Sequence, residues 1–172
     1  MQLNNDNNKE VLNMIASIVY HIDNTLDIEL VQAICTIESN LNIYAMRYEK
    51  SFEERYIIGY DIKRFGNQIS FETEQKARAT SWGLMQIMGQ TARELGFDRQ
   101  YLSELCNPEY GIKYGCMLLA KKVLLYGNQG LEAIVSAYNA GQPIKRNGIW
   151  LNKRYVDFVM QFMYKYKEKK NV

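Results

Sequence analysis

At 172 residues the chain has the length of one ordinary domain with a sizeable core. One histidine, His21, and three cysteines, Cys35, Cys106 and Cys116, exclude a zinc site of four thiolates or of two thiolates and two imidazoles, as well as a three-imidazole metal centre. A net charge of +2 gives no argument for a nucleic-acid partner, and no apolar run reaches the roughly 18 residues of a membrane span. What remains for chemistry is carboxylates, amides, hydroxyls and 13 tyrosines. The cysteines lie in apolar runs or next to a proline, in odd number and at irregular spacing, and read as reduced, packed thiols. Charge is uneven: residues 1–38 hold six acids and one Lys, residues 145–172 eight bases and two acids.

Glycine and proline together make up about 8% of the chain, below the usual ~12%, which favours long helices. Residues 9–22 place Val11, Leu12, Ile15, Ile18, Val19 and Ile22 at helical spacing, and Asp23-Asn24-Thr25 ends that helix. Asp27 is a good N-cap for a second helix with Leu30, Ile34 and Ile37 as its apolar stripe, stopping near Glu38. Residues 43–80 are charged and poorly periodic apart from a possible helix over 51–58. Thr91-Ala-Arg-Glu94 has the pattern of a capping box for a short helix closed by Gly96. Asn107-Pro108-Glu109 predicts the start of a helix of about 18 residues, carrying Ile112, Leu119, Val123 and Leu124 inward. Leu131 to Ala140 forms another, ended by Gly141, and after a turn with Pro143 and Gly148 a last helix runs from about Lys153 and frays at 165–170. The expected organisation is an N-terminal helix over 1–26 packed on a mostly helical domain over 27–164, then a basic tail over 165–172.

Three places stand out chemically. Glu38 follows Leu30 and Ile34 at four-residue steps, so it lies on the apolar stripe, in the last turn where the helix dipole opposes a negative charge. Both influences favour the protonated acid that general-acid catalysis requires, although a glutamate bent back into solvent fits the same spacing. Gln86 is the one amide in the apolar run Trp82–Met88, either hydrogen-bonded in the core or facing a cleft. Tyr138 and Asn139 put a phenol and an amide at a helix end, where an ordinary glycine C-cap is the plainer reading.

In order along the chain, Glu38-Ser-Asn-Leu-Asn42, Gly83-Leu-Met-Gln-Ile87, Asn107-Pro-Glu-Tyr-Gly-Ile-Lys-Tyr-Gly115, Ala137-Tyr-Asn-Ala-Gly141 and Tyr155-Val156 resemble the soluble lytic transglycosylase (SLT) domain, a relative of goose-type lysozyme. The resemblance spans roughly residues 27–160. It implies a mostly α, lysozyme-like (SLT/goose-type) single domain with a glycan-binding cleft, cutting the MurNAc-β-1,4-GlcNAc bond of peptidoglycan. By position it implies Glu38 as the catalytic acid and base, and Ser39, Met85, Gln86, Tyr138, Asn139 and Tyr155 as residues that bind substrate or support the acid. Departures are Leu41 and Ile43 where members commonly carry Phe and Pro, and Arg47 where a serine is expected.

A lytic transglycosylase needs one carboxyl, which protonates the leaving oxygen and then helps the C6 hydroxyl of MurNAc attack C1, giving a 1,6-anhydro end. A hydrolytic lysozyme usually adds a second carboxylate to activate water. The long link to Gly83 offers Glu49, Glu53, Glu54, Asp61, Glu72 and Glu74 for that role. Transglycosylation is the primary expectation, with hydrolysis, or a glycan-binding virion module without turnover, as alternatives. No metal or other cofactor is called for. The polar, acidic first residues lack the features of a secretory signal, so the expectation is synthesis in the (host) cytoplasm, action on the wall in the periplasm or from outside, and a phage or prophage muralytic role. Expected partners are peptidoglycan strands and, through Lys165, Lys167, Lys169 and Lys170, the anionic envelope, with the chain a monomer.

Overall fold

Eight α-helices dominate residues 5–62 and 69–170, which the computed structural model describes. The mostly helical architecture expected from the low glycine and proline content is what the chain adopts. Two units divide it, Met1–Leu41 with Cys116–Val172 and Asn42–Gly115.

The first unit is a helical assembly. Helix α1 (Asn5–Ile22) turns its apolar stripe inward through Ile15 and Val19, and Thr25 closes the following turn by donating its backbone N–H to Asp23 at 3.0 Å. Helix α2 (Ile28–Ser39) is capped by Asp27, whose carboxylate accepts from the Leu30 N–H at 3.1 Å. It packs between α1 and the C-terminal helix, burying Leu30, Val31, Ala33, Ile34 and Cys35.

Helix α7, Leu131–Ala140, and the C-terminal helix Lys153–Lys170, α8 in the numbering used below, pack on one another and bury Ile134, Val135, Val156, Val159 and Met163. Where fraying is expected, the last helix runs unbroken to Lys170. Tyr166 there shares a 2.8 Å hydrogen bond with Thr36, and Lys167 pairs with Asp27 at 2.5 Å, so the expected basic tail is tied to α2 and its cap at these two residues.

The second unit contains a three-stranded antiparallel sheet of β1 (Met46–Tyr48), β2 (Thr80–Trp82) and β3 (Ile87–Met88). Helices α3 (Lys50–Tyr56) and α4 (Phe71–Arg78) lie in the segment between β1 and β2. The expected helix over 51–58 is α3, whereas α4, capped by the Ser70 hydroxyl on the Thr73 N–H at 3.1 Å, was not anticipated. Helix α5 spans Gly89–Glu94, so the capping-box reading of Thr91-Ala-Arg-Glu94 is corrected. The chain passes straight from β3 into the helix, placing Thr91 inside it, and the Glu94 carboxylate accepts from Gln90 at 2.9 Å rather than reaching back to a cap.

Helix α6 (Pro108–Tyr126) begins as predicted: the Asn107 side chain accepts from the Glu109 N–H at 2.9 Å, with Pro108 in the first helical position. It starts in the second unit and from Cys116 belongs to the first. Ile112, Cys116 and Leu119 are buried, but Val123 and Leu124 are not core residues, Leu124 being 87% exposed. The apolar periodicity of this helix outlasts the layer it packs on. Between α7 and α8 the expected turn is a hairpin of β4 (Lys145–Arg146) and β5 (Ile149–Trp150), reversed at Asn147-Gly148 with φ of 53° and 77°.

Candidate active site

The first unit holds Glu38 at the point where α2 ends. Asn40 and Leu41 follow in left-handed conformation, φ 51° and 62°, and stop the helix at Ser39, one residue after Glu38. Leu30 and Ile34 on the same stripe are buried, and Glu38 itself is partly withdrawn from solvent. From α8 the Tyr155 hydroxyl donates to Glu38 Oε1 at 2.6 Å, which fixes the orientation of the carboxyl group. Burial, then the Glu38 charge and its hydrogen bond, hold the Tyr155 phenol well above its ordinary pKa of 10. Tyr138, on α7, is raised for the same first two reasons, burial and the Glu38 charge. Both phenols therefore stay neutral throughout the physiological range and keep their O–H groups.

Cys35 is fully buried one turn before Glu38, and burial, followed by Cys116 and Glu38, pushes it well above the ordinary value of 9.0. Cys116 is pushed up to about 12, chiefly by burial. Neither thiol is a nucleophile in this state, consistent with packed, reduced cysteines, and all three are free.

Ser39 is buried, and its hydroxyl donates to the Cys35 carbonyl at 2.8 Å, within its own helix. Asn139, in contrast, is exposed at the end of α7. Its Oδ1 accepts from Asn152 Nδ2 at 3.0 Å, and Asn152 also accepts from the Ser136 hydroxyl at 2.7 Å and donates to the Ser136 carbonyl at 3.1 Å. Asn152 is a positioning residue that sequence reasoning missed. Its signal was an asparagine just ahead of a helix, but its real partners lie 13 and 16 residues upstream.

The second unit carries Met85 and Gln86 in the tight turn joining β2 to β3. That turn needs Gly83, whose φ is +68° and where a Cβ would lie 2.4 Å from the Leu105 carbonyl oxygen. Gln86 is itself left-handed, φ 46°, and its amide is fully engaged: Nε2 donates to the carbonyls of Ala45 (3.0 Å) and Gly83 (2.9 Å), and Oε1 accepts from Ser81 at 2.9 Å. Of the two readings open for Gln86, the hydrogen-bonded amide describes its state here. Met85 is fully buried, and Gly115 is the space it needs, since a Cβ there would come within 2.3 Å of its sulfur. In this conformation Met85 packs the unit and presents no surface.

The acids considered as second carboxylates also lie in this unit and divide by partner. Glu74 is buried, with Oε1 accepting from Arg78 and Arg93 at 2.9 Å each and Oε2 from Arg93 at 3.2 Å. Arg93 is further held by the carbonyls of Phe97 and Arg99. Such a carboxylate neutralises two buried guanidiniums and has no role left for water. Glu53 is buried and accepts from the Tyr48 hydroxyl. Glu49 pairs with Arg47 at 2.5 Å, Glu54 is exposed and pairs with Lys50 at 3.6 Å, and Asp61 and Glu72 are exposed.

Among the described residues no group of three or more His, Cys, Asp or Glu side chains is arranged to hold a metal ion, and no helix is long and apolar enough to cross a membrane. Comparison with known families matches residues 15–157 to the transglycosylase SLT domain. No curated protein and no solved structure gives a significant match. The matched span begins in α1 and contains Glu38, the Gly83–Gln86 turn, Tyr138, Asn139 and Tyr155. With most of its length inside that match and a mostly helical fold, the chain belongs to the transglycosylase SLT domain family, lysozyme-like proteins of lytic-transglycosylase type that act on peptidoglycan.

Proposed function

We propose that the chain cleaves the MurNAc-β-1,4-GlcNAc bond of peptidoglycan by lytic transglycosylation, with Glu38 as the sole acid and base. The observation that carries this reading is the 2.6 Å hydrogen bond from Tyr155 to Glu38 Oε1 at the end of an apolar helix stripe. A neutral phenol orients the carboxyl without placing a cation on that oxygen, so the group can release a proton to the glycosidic oxygen and take one back from the C6 hydroxyl. No water enters the sequence: the C1–O4 bond breaks as C1–O6 forms, and the proton given to O4 is replaced by the one lost from O6. Tyr138 shields the carboxyl, and Asn139, exposed and held by Asn152, bonds a sugar substituent in this reading.

Hydrolysis would call on Glu49, Asp61 or Glu72, since Glu74 is committed to Arg78 and Arg93. Incubation with Gram-negative sacculi and mass spectrometry of the released muropeptides tests the proposal. Anhydro ends abolished by Glu38→Gln support it. Reducing ends, one water heavier, would establish hydrolysis instead, and retention on sacculi without soluble products would mark a binding module.

A further inference from the structure

The hairpin β4–β5 has two unlike faces. Its register pairs Lys145 with Trp150 and Arg146 with Ile149, and the Leu151 N–H donates to the Ile144 carbonyl at 3.0 Å, which extends the pairing by one rung. Since side chains alternate along a strand, Lys145 and Trp150 share one face, and Ile144, Arg146, Ile149 and Leu151 the other. The first face is anchored: Trp150 is buried, its indole N–H donates to Glu132 at 3.0 Å, and the Lys145 ammonium lies 4.0 Å from the ring centroid. The second face is wet, with Ile144 at 48%, Ile149 at 54% and Leu151 at 62% exposure.

From Ile144 to Arg154 the chain carries Lys145, Arg146, Lys153 and Arg154 and no acid. The nearest acids in sequence, Glu132 and Asp157, are bonded to Trp150 and Lys153. Three exposed branched aliphatics and an arginine on one face, within a segment of one sign of charge, fit a partner that is apolar inside and anionic outside. A glycan would be met by flat aromatic faces and carboxamides, and protein hot spots, though also rich in Arg, centre on Trp and Tyr with Leu and Val under-represented, whereas this face carries no aromatic. Aliphatic side chains that enter the acyl boundary while cations meet phosphates are the chemistry of an anionic lipid surface.

We propose that the outer face of β4–β5 docks the protein on anionic phospholipid membranes, separately from its action on glycan. Sedimentation with vesicles of phosphatidylcholine alone, or mixed with phosphatidylglycerol, tests this with the full chain. The expected result is binding to the anionic vesicles only, weakening as salt rises. Partition should fall by about tenfold or more in Ile149→Ser/Leu151→Ser, where two aliphatic side chains no longer enter the bilayer. Arg146→Gln, which leaves the apolar face intact, should reduce it severalfold, while circular dichroism and release of soluble muropeptides stay as in the parent. Failure of the parent to sediment with anionic vesicles, or equal sedimentation of parent and double variant, overturns the proposal. A concentration-dependent dimer abolished by the double variant, or loss of retention on sacculi with vesicle binding unchanged, also overturns it by assigning the face to a second copy or to the wall.

Discussion

Glu38 in the first unit and Glu74 in the second are both drawn away from water, and they are met by opposite chemistry. A phenol donates to Glu38 at 2.6 Å, whereas two guanidiniums close on Glu74 at 2.9 Å. The first arrangement orients a carboxyl. The second neutralises charge and fastens α4 to α5 and to the carbonyls beyond it. Burial of an acid is therefore not by itself a sign of catalysis; the partner decides.

Exchanging charge for an amide at each position separates the two roles most sharply. Glu38→Gln should lower the rate of muropeptide release by roughly 10²–10⁴-fold, the usual worth of a general acid and base, with the melting temperature unchanged. Glu74→Gln should do the reverse. Leaving Arg78 and Arg93 buried without their carboxylate costs about 3–5 kcal/mol, visible in denaturant titration, while the folded fraction turns over at the parental rate. Comparable loss of turnover and stability in both variants would break the comparison.

Tyr155→Phe sharpens it further, since it removes one hydroxyl and keeps the ring. The bond is made in the resting fold, so its loss should cost about 1 kcal/mol or more of stability, and kcat should fall roughly tenfold or more as the carboxyl loses its orientation. A variant with parental kcat would show that the phenol packs rather than positions.

The smallest effect belongs to the pair that ties the end of the C-terminal helix to the N-cap of α2. Burial raises the Asp27 carboxyl, but the hydrogen bond and charge of Lys167, with the Leu30 N–H, outweigh it and leave the group below its ordinary 3.8. Both side chains are more than a third exposed or nearly so, and solvent screening keeps the pair under about 1 kcal/mol. Because the folded value is lowered, this stabilisation is present above pH 4 or so and is lost as pH falls through the lower folded value. The melting-temperature difference between the parent and Lys167→Ala should therefore shrink on acidification below that point.

Signals confined to a few neighbouring residues were legible in advance. Asp27 before an apolar stripe, Asn107-Pro108 opening α6 and Gly141 closing α7 each act through the backbone groups beside them, and each is found in place. The hairpin at Asn147-Gly148 carries an equally local signal, the Asn-Gly pair of a two-residue reversal. Less was legible where partners are far apart. Strand β1 meets β2 across 34 residues, from Arg47 to Ser81, with two helices between them. Leu124 sits on a stripe whose covering layer ends before it does.

By itself, the sequence determined the helical class, the cap and stop of α2, and the presence of Glu38 on its apolar stripe, because helix periodicity and capping are short-range. The tertiary structure alone decided what that carboxyl meets. Helix α8 brings Tyr155 to Glu38 from 117 residues away, and α5 brings Arg93 to Glu74 from 19. Two acids similar in a list of residues become a candidate proton donor and a structural clamp, because the charge a carboxylate can hold or pass on depends on the groups within a hydrogen bond of it.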